Sequence, residues 1–153
     1  MRFVLASIGV LLLFSLAANT FFTPLKPVFP PQIYLARTIA IKDVAVHVAV
    51  ADTDALRTRG LSGYAPLKAD EGMLFVFEED GIYAFWMKEM LFSIDIIWLD
   101  AAGQVVHIEK EVSPATYPAS FTPGSPARYV LEVPAGFADQ HDIQIGATAN
   151  LEE

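Results

Sequence analysis

The chain has 153 residues, enough for one domain and too few for two well-formed ones. Apolar residues make up 54% and charged residues 18%, which excludes an intrinsically disordered chain. The 18 acidic residues against 10 basic, a net charge of −8, argue against a nucleic-acid partner, and the absence of cysteine removes disulfides, thiolate metal sites, cysteine nucleophiles and lipid attachment through a lipobox.

The chain opens on a segment unlike the rest. Met1-Arg2 is a short cationic start, and residues 3–18 are nearly all apolar. Ser15 and Ala17 then offer small residues at −3 and −1 for a cleavage after Ala17. This pattern predicts a signal peptide over residues 1–23. The alternative is an uncleaved N-terminal anchor, because the apolar run through Phe22 approaches the roughly 20 residues that cross a bilayer. Either reading places the domain outside the cytoplasm, periplasmic or extracellular, with the membrane touched only through this segment. Pro24, Pro27, Pro30 and Pro31 follow within eight residues and predict an extended, proline-rich linker over 24–37. A β-rich domain over 38–153 remains.

Val44, Val46, Val48 and Val50 alternate with Ala45, His47 and Ala49, a strand with one bulky face, paired through a Lys42-Asp43 turn with residues 39–41. Asp52 or Thr53 caps a short helix over 54–59 that Gly60 ends. Met73, Phe75 and Phe77, a turn at 78–81, and Tyr83, Phe85 and Met87 read as a hairpin. Residues 93–99 are apolar on both faces, as in a central strand with cover on each side. A turn at 100–103 leads into a strand over 104–111; further strands follow at 128–133 and 143–151, with a helical turn at 136–140. Seven or eight short strands with one or two short helices predict a mostly β single domain, a β-sandwich or a partly closed barrel. Residues 112–127 break this rhythm with four prolines, Tyr117 and Phe121, and read either as a lid or as a crossover whose aromatics plug the core edge.

Several segments together resemble one family. They are Ala51-Asp52-Thr53 with Arg57, Arg59, Gly60 and Leu61; Gly72-Met73-Leu74-Phe75; Phe85-Trp86-Met87-Lys88; Ile94-Asp95-Ile96; Asp100 with Gly103; and Tyr129-Val130-Leu131-Glu132 with Ala135-Gly136. Their order and spacing are similar to the domain of unknown function 192 family over roughly residues 40–150. The resemblance implies a compact, sandwich-like β domain, often exported, and brings no activity, substrate or cofactor. Glu89-Met90 stands where that family's pattern usually continues with Asn-Thr, and Tyr64 stands near the place of an Arg.

Asp95 is the sharpest candidate. Strand parity puts it with Ile97 and Leu99, opposite Ile94, Ile96 and Trp98, and a carboxylate on a central strand must be paired. Lys88, Arg57, Arg59 and Arg128 are the cations available to it; with one of them it is either a ligand-gripping or general-base group, or a structural pin. Glu132 shares a strand face with Arg128 and Val130, and with Asp95 it would make the carboxylate pair of a glycan-acting hydrolase or lyase, with Lys88 as electrostatic partner. His107 and Glu109 lie at i and i+2, too few ligands for a metal site. Trp86 alternates with Lys88 away from Phe85 and Met87; exposed, such a pair suits a sugar or peptide contact, and buried it is core. No phosphate loop, dinucleotide fingerprint or nucleophile elbow is present. The leading expectation is a binding or interaction module without catalysis, acting on an envelope ligand or protein and needing no cofactor or metal. Its site would be Trp86, Lys88, Asp95 and Glu132, roofed by Tyr117 and Phe121. The alternatives are the hydrolase or lyase, and an acidic scaffold that docks another envelope protein.

Overall fold

A computed structural model describes residues 33–151. The signal peptide or anchor expected over residues 1–23 and the prolines of the expected linker lie outside the described residues. The elements run β1 (Arg37–Ile41), β2 (Val44–Ala51), α1 (Asp54–Arg59), β3 (Glu71–Gly81), β4 (Phe85–Trp86), β5 (Ile94–Leu99), β6 (Val105–Val112), β7 (Ser120–Phe121), β8 (Ala127–Pro134), α2 (Phe137–Gln140) and β9 (Ala149–Asn150). Seven strands form one sheet in the order β6-β5-β8-β3-β2-β1-β9, and β4 and β7 form a second, two-stranded one. The domain is mostly β, and its main sheet curls into a half-barrel.

The curl follows from where the apolar residues point. Ile39, Ile41, Val46, Val48, Leu74, Ile97, Leu99, Leu131 and Val133 form one cluster with Val105 and Ala149 from the two edge strands. A sheet whose two edges share a core has to bend round to bring them together. The edges in fact meet: Gln104 bridges Thr148, Val105 N–H donates to Ala147 O at 2.8 Å, and Ala149 N–H donates to Gly103 O at 2.8 Å. This partial closure removes much of the exposed edge that an open sheet would leave. The other face carries Met73, Phe75, Ile94, Ile96, Trp98 and Val130, covered by Leu61 from the turn after α1 and by Phe85, Met87 and Met90.

Two expectations need correction. Residues 73–77 and 83–87 do not pair as a hairpin. The two edges of β3 are taken by β2, in parallel, and by β8, antiparallel, so the chain past Gly81 has no edge to return to. Tyr83 instead folds back to stack on Phe77 at 3.5 Å, and Phe85-Trp86 pairs with Phe121-Ser120. The final strand shrinks to β9, because Asp142 and Gly146 take positive φ (50° and 91°) and break the extended backbone. The segment 112–127 is the crossover, with a 3-10 turn at Pro114–Thr116 and Phe121 half-buried against the outer cluster.

Asp95 lies on β5, every residue of which is buried, and it forms no ion pair among the described residues. Lys88, Arg57, Arg59 and Arg128 all point elsewhere; Arg128, for instance, binds Asp80 at 2.8 Å. Backbone amides replace them. Oδ1 accepts from Glu111 N–H at 2.8 Å and Gly136 N–H at 3.1 Å, and Oδ2 accepts from Ala138 N–H at 2.8 Å. Glu111 sits where β6 bulges against β5, with φ 51°, and the bulge leaves its amide without a ladder partner. Gly136 caps α2 without a side chain of its own, so a strand residue does the capping. Asp95→Asn keeps the shape and presents an NH2 group where one oxygen accepted. The variant should lose about 2–3 kcal/mol of stability, read as a lowered Tm; an unchanged Tm would show that these amides do not depend on the carboxylate.

Candidate functional site

Glu132 is buried as well, and unlike Glu71, which pairs with Lys68, it has no ion pair among the described residues; it faces away from Asp95. In register it lies beside Ile96 on β5 and Met73 on β3, on the outer face of the sheet, whereas Asp95 pairs with Val133 on the inner face. The sheet itself separates the two groups. They cannot flank one substrate, and the acid–base pair expected from the sequence does not form.

The cover over Glu132 is built by two loops tied to each other. Thr53 caps α1 by accepting from Leu56 N–H at 3.3 Å, and Gly60 ends it at φ 50°, donating its N–H to Leu56 O at 2.8 Å. The positive φ favours glycine at position 60, and the turn lies against the Phe75 ring, 3.4 Å from where a Cβ would stand. The second loop, 87–90, is bound to the first by Ser62 Oγ donating to Lys88 O and Gly63 N–H donating to Glu89 O, at 2.8 and 2.9 Å. With Glu89 at φ 57°, both Met87 and Met90 turn inward. Between the loops and the sheet lies a cavity of about 60 Å³, with Glu132 among its walls and Gly60, Leu61, Phe75, Phe85, Trp86 and Met90 around it. Phe75 and Phe85 meet edge to face at 4.8 Å.

Glu132 is 4% exposed, and its Oε2 is buried with no hydrogen-bond partner among the described residues. Burial alone pushes the carboxyl up from 4.5 to about 8, and no neighbouring cation draws it back down. Arg57 and Arg59 border the cavity, yet their heads are held elsewhere. Arg57 binds Asp54, Asp52 O and Val76 O over the Phe77 ring, and Arg59 lies over Tyr64 at 4.8 Å. Near neutral pH the group is therefore a buried, neutral acid with one oxygen unanswered.

The remaining expected residues lie on the side of the sheet that carries Glu132. Trp86 is 51% exposed at the cavity rim, with Tyr117 edge-on at 6.1 Å and Lys88 Nζ 6.0 Å from its ring centre. Tyr117 is 46% exposed, whereas Phe121 packs into the outer cluster. His107 hydrogen-bonds Glu109 at 3.0 Å, and among the described residues no three potential ligands gather for a metal. Sequence reasoning passed over Leu61, Phe75 and Met90 as cavity walls. The only sequence signal of Leu61 and Phe75 was membership of the Gly60-Leu61 and Gly72–Phe75 motifs, and that of Met90 was its place in Glu89-Met90, where the family pattern departs.

The titration of Glu132 has a measurable consequence. Its folded value lies above the unfolded one, so its contribution to stability is complete below pH 4.5, falls as pH rises, and is lost above about pH 8. The total is about 5 kcal/mol for that interval. Glu132→Gln removes the titration, so its Tm should rise relative to the unaltered chain as pH goes from 5 to 9. Melts at pH 5, 7 and 9 check this, and a constant difference would place the titration elsewhere.

The geometry can be set beside known proteins. A UPF0127 protein of Thermococcus gammatolerans is 35% identical over 102 residues, 65% of this chain and 63% of its own length, so the chain spans less than two thirds of that relative. Two solved structures share the fold at a TM-score of 0.71. One, of a protein of unknown function from Novosphingobium aromaticivorans, is 23% identical over 74% of this chain and 83% of its own. The other, of a candidate transcription regulator from Sinorhizobium meliloti, is 24% identical over 77% of this chain and 95% of its own. The DUF192 family model (Uncharacterized ACR) matches residues 37–151, from the first residue of β1 to just past β9, and the chain belongs to that family.

Proposed function

We propose that this domain is an exported binding module whose ligand seats an end group in the cavity over Glu132 and lies with its body along Trp86 and Tyr117. The observation that carries this is the unpartnered Oε2 of Glu132. Buried polar atoms are satisfied almost everywhere in folded proteins, and one left open costs about 1–3 kcal/mol. An open hydrogen-bonding atom beside a cavity, under an exposed aromatic pair, has the makeup of a small-molecule site. The separation of Asp95 from Glu132 by the sheet supports binding over two-carboxylate hydrolysis. The net charge of −8 speaks against a nucleic-acid ligand, and export rests on the signal pattern of residues 1–23.

Two measurements test the parts separately. A thermal-shift screen of small polar metabolites and sugar fragments should find a ligand that adds about 2.7 kcal/mol at a hundredfold over its Kd. For a domain of this size that is a rise in Tm of roughly 10 °C. Trp86→Ala and Glu132→Gln should each abolish the rise, and Asp95→Asn should keep it. A ligand whose effect survives both cavity variants would overturn the site. For export, a phosphatase reporter that works only outside the cytoplasm is fused behind residue 37. Activity that persists after deletion of residues 2–17 would overturn the signal reading.

A further inference from the structure

We infer that the end group seated over Glu132 is a small cationic amine, so that the ligand class is an alkylammonium or amino-sugar cation. This rests on the binding reading above and narrows it. The cavity joins a buried carboxyl to the rings of Phe75, Phe85 and Trp86, with Leu61 and Met90 beside them; Arg57 and Arg59 also border it, their guanidinium groups lying over the Phe77 and Tyr64 rings. Carboxylate and aromatic surface together attract a cation, through charge and through the ring quadrupole. Both repel an anion. A polyol would find few fixed acceptors and donors at the carboxyl itself: Ser62 Oγ is spent on Lys88 O, Arg57 is bound to Asp52 O, Asp54 and Val76 O, and Arg59 lies over Tyr64.

Three further observations agree. No ion pair involving Glu132 forms among the described residues, so the place of its counter-cation is open. At about 60 Å³ the cavity holds a handful of water-sized groups, room for an ammonium head with a carbon or two and not for a sugar ring. The acidic balance of the chain, 18 to 10, favours the approach of a cation from a distance.

The binding step balances as a proton exchange. The neutral carboxyl of Glu132 gives its proton to solvent, and the carboxylate so formed accepts from R–NH3+. Below the titration of Glu132 near pH 8, each unit of pH should therefore tighten an amine about tenfold. A neutral hydroxyl ligand, which accepts from the protonated acid, should instead weaken above that pH.

The test uses three probes of equal length, n-propylammonium, 1-propanol and propionate, followed by amide NMR on the full chain at pH 6, 7 and 9. The expected result is that propylammonium shifts the amides of Gly60, Leu61 and Trp86, saturates in the millimolar range, and binds about tenfold tighter at pH 7 than at pH 6. Titration calorimetry at pH 7 in two buffers of different ionisation heat should show release of a proton. Glu132→Gln should weaken the amine at least tenfold, and Trp86→Ala, an exposed position, should weaken it without disturbing the fold. Binding of 1-propanol or propionate at these amides in preference to the amine overturns the cationic assignment and leaves the binding site standing. No shift from any probe also overturns it, and the wider ligand screen then decides the fate of the site. Equal amine affinity in Glu132→Gln overturns the role of the carboxyl.

Discussion

A carboxylate that forms no ion pair among the described residues holds this domain together. Asp95 is the second residue of β5, a strand buried along its whole length, and its two oxygens gather amides from the bulge of β6 and from the first turn of α2. Taking such a charge out of water costs several kcal/mol, and charge-assisted hydrogen bonds to amides offset that cost only when they converge. Convergence sets the backbone around it. Glu111 must bulge to present its amide, the chain after β8 must turn at Gly136, and Phe137 and Ala138 are thereby laid into the inner core. One side chain thus fixes how β6, β5 and the end of β8 stand relative to one another.

That same strand pairing positions Glu132. With Asp95 opposite Val133, Glu132 falls opposite Ile96 and on the outer face, under loops that bring it no donor. Asp95 and Glu132 are a pair in contrast. One is saturated by backbone and serves the fold; the other is left open at a cavity where the fold gains nothing from it. An unsatisfied group of this kind persists where the surrounding structure is over-determined, and here the half-barrel is closed at its edges by the contacts of residues 103–105 with 147–149.

Much of this was legible in the chain because strand parity is a local property. The alternation of Val44 to Val50, the two faces of residues 94–99, the cap at Thr53 and the turning of Trp86 away from the buried Phe85 all appear in the structure as the pattern implies, while the exposure of Trp86 was left open by it. Parity says which face a residue takes and nothing about which strand lies beside it. Hence Met73, Phe75 and Phe77 were assigned the wrong neighbour, since the parallel partner lies across a crossover of some twenty residues. The partners of Asp95 were hidden for a different reason. Every residue carries an amide, so a site made of amides leaves no trace in composition. The cavity was hidden too, for Leu61 and Met90 reach Glu132 only once Ser62 and Gly63 have tied their loops together.

The separation of the two carboxyls is itself a consequence of the sheet's strongest constraint. To share a face, one of β5 and β8 would have to slip by one residue against the other. A slip of β5 would turn Trp98, Ile96 and Ile94 into the inner cluster and Ile97 and Leu99 out of it. A slip of β8 would do the same to Leu131 and Val133. Each large apolar side chain so displaced forfeits about 1.5–3 kcal/mol, and Asp95 would leave its three amides behind. No gain from a paired active site matches that loss. The register that makes the core therefore leaves Glu132 alone on the outer face, without the second carboxyl that two-carboxylate hydrolysis requires.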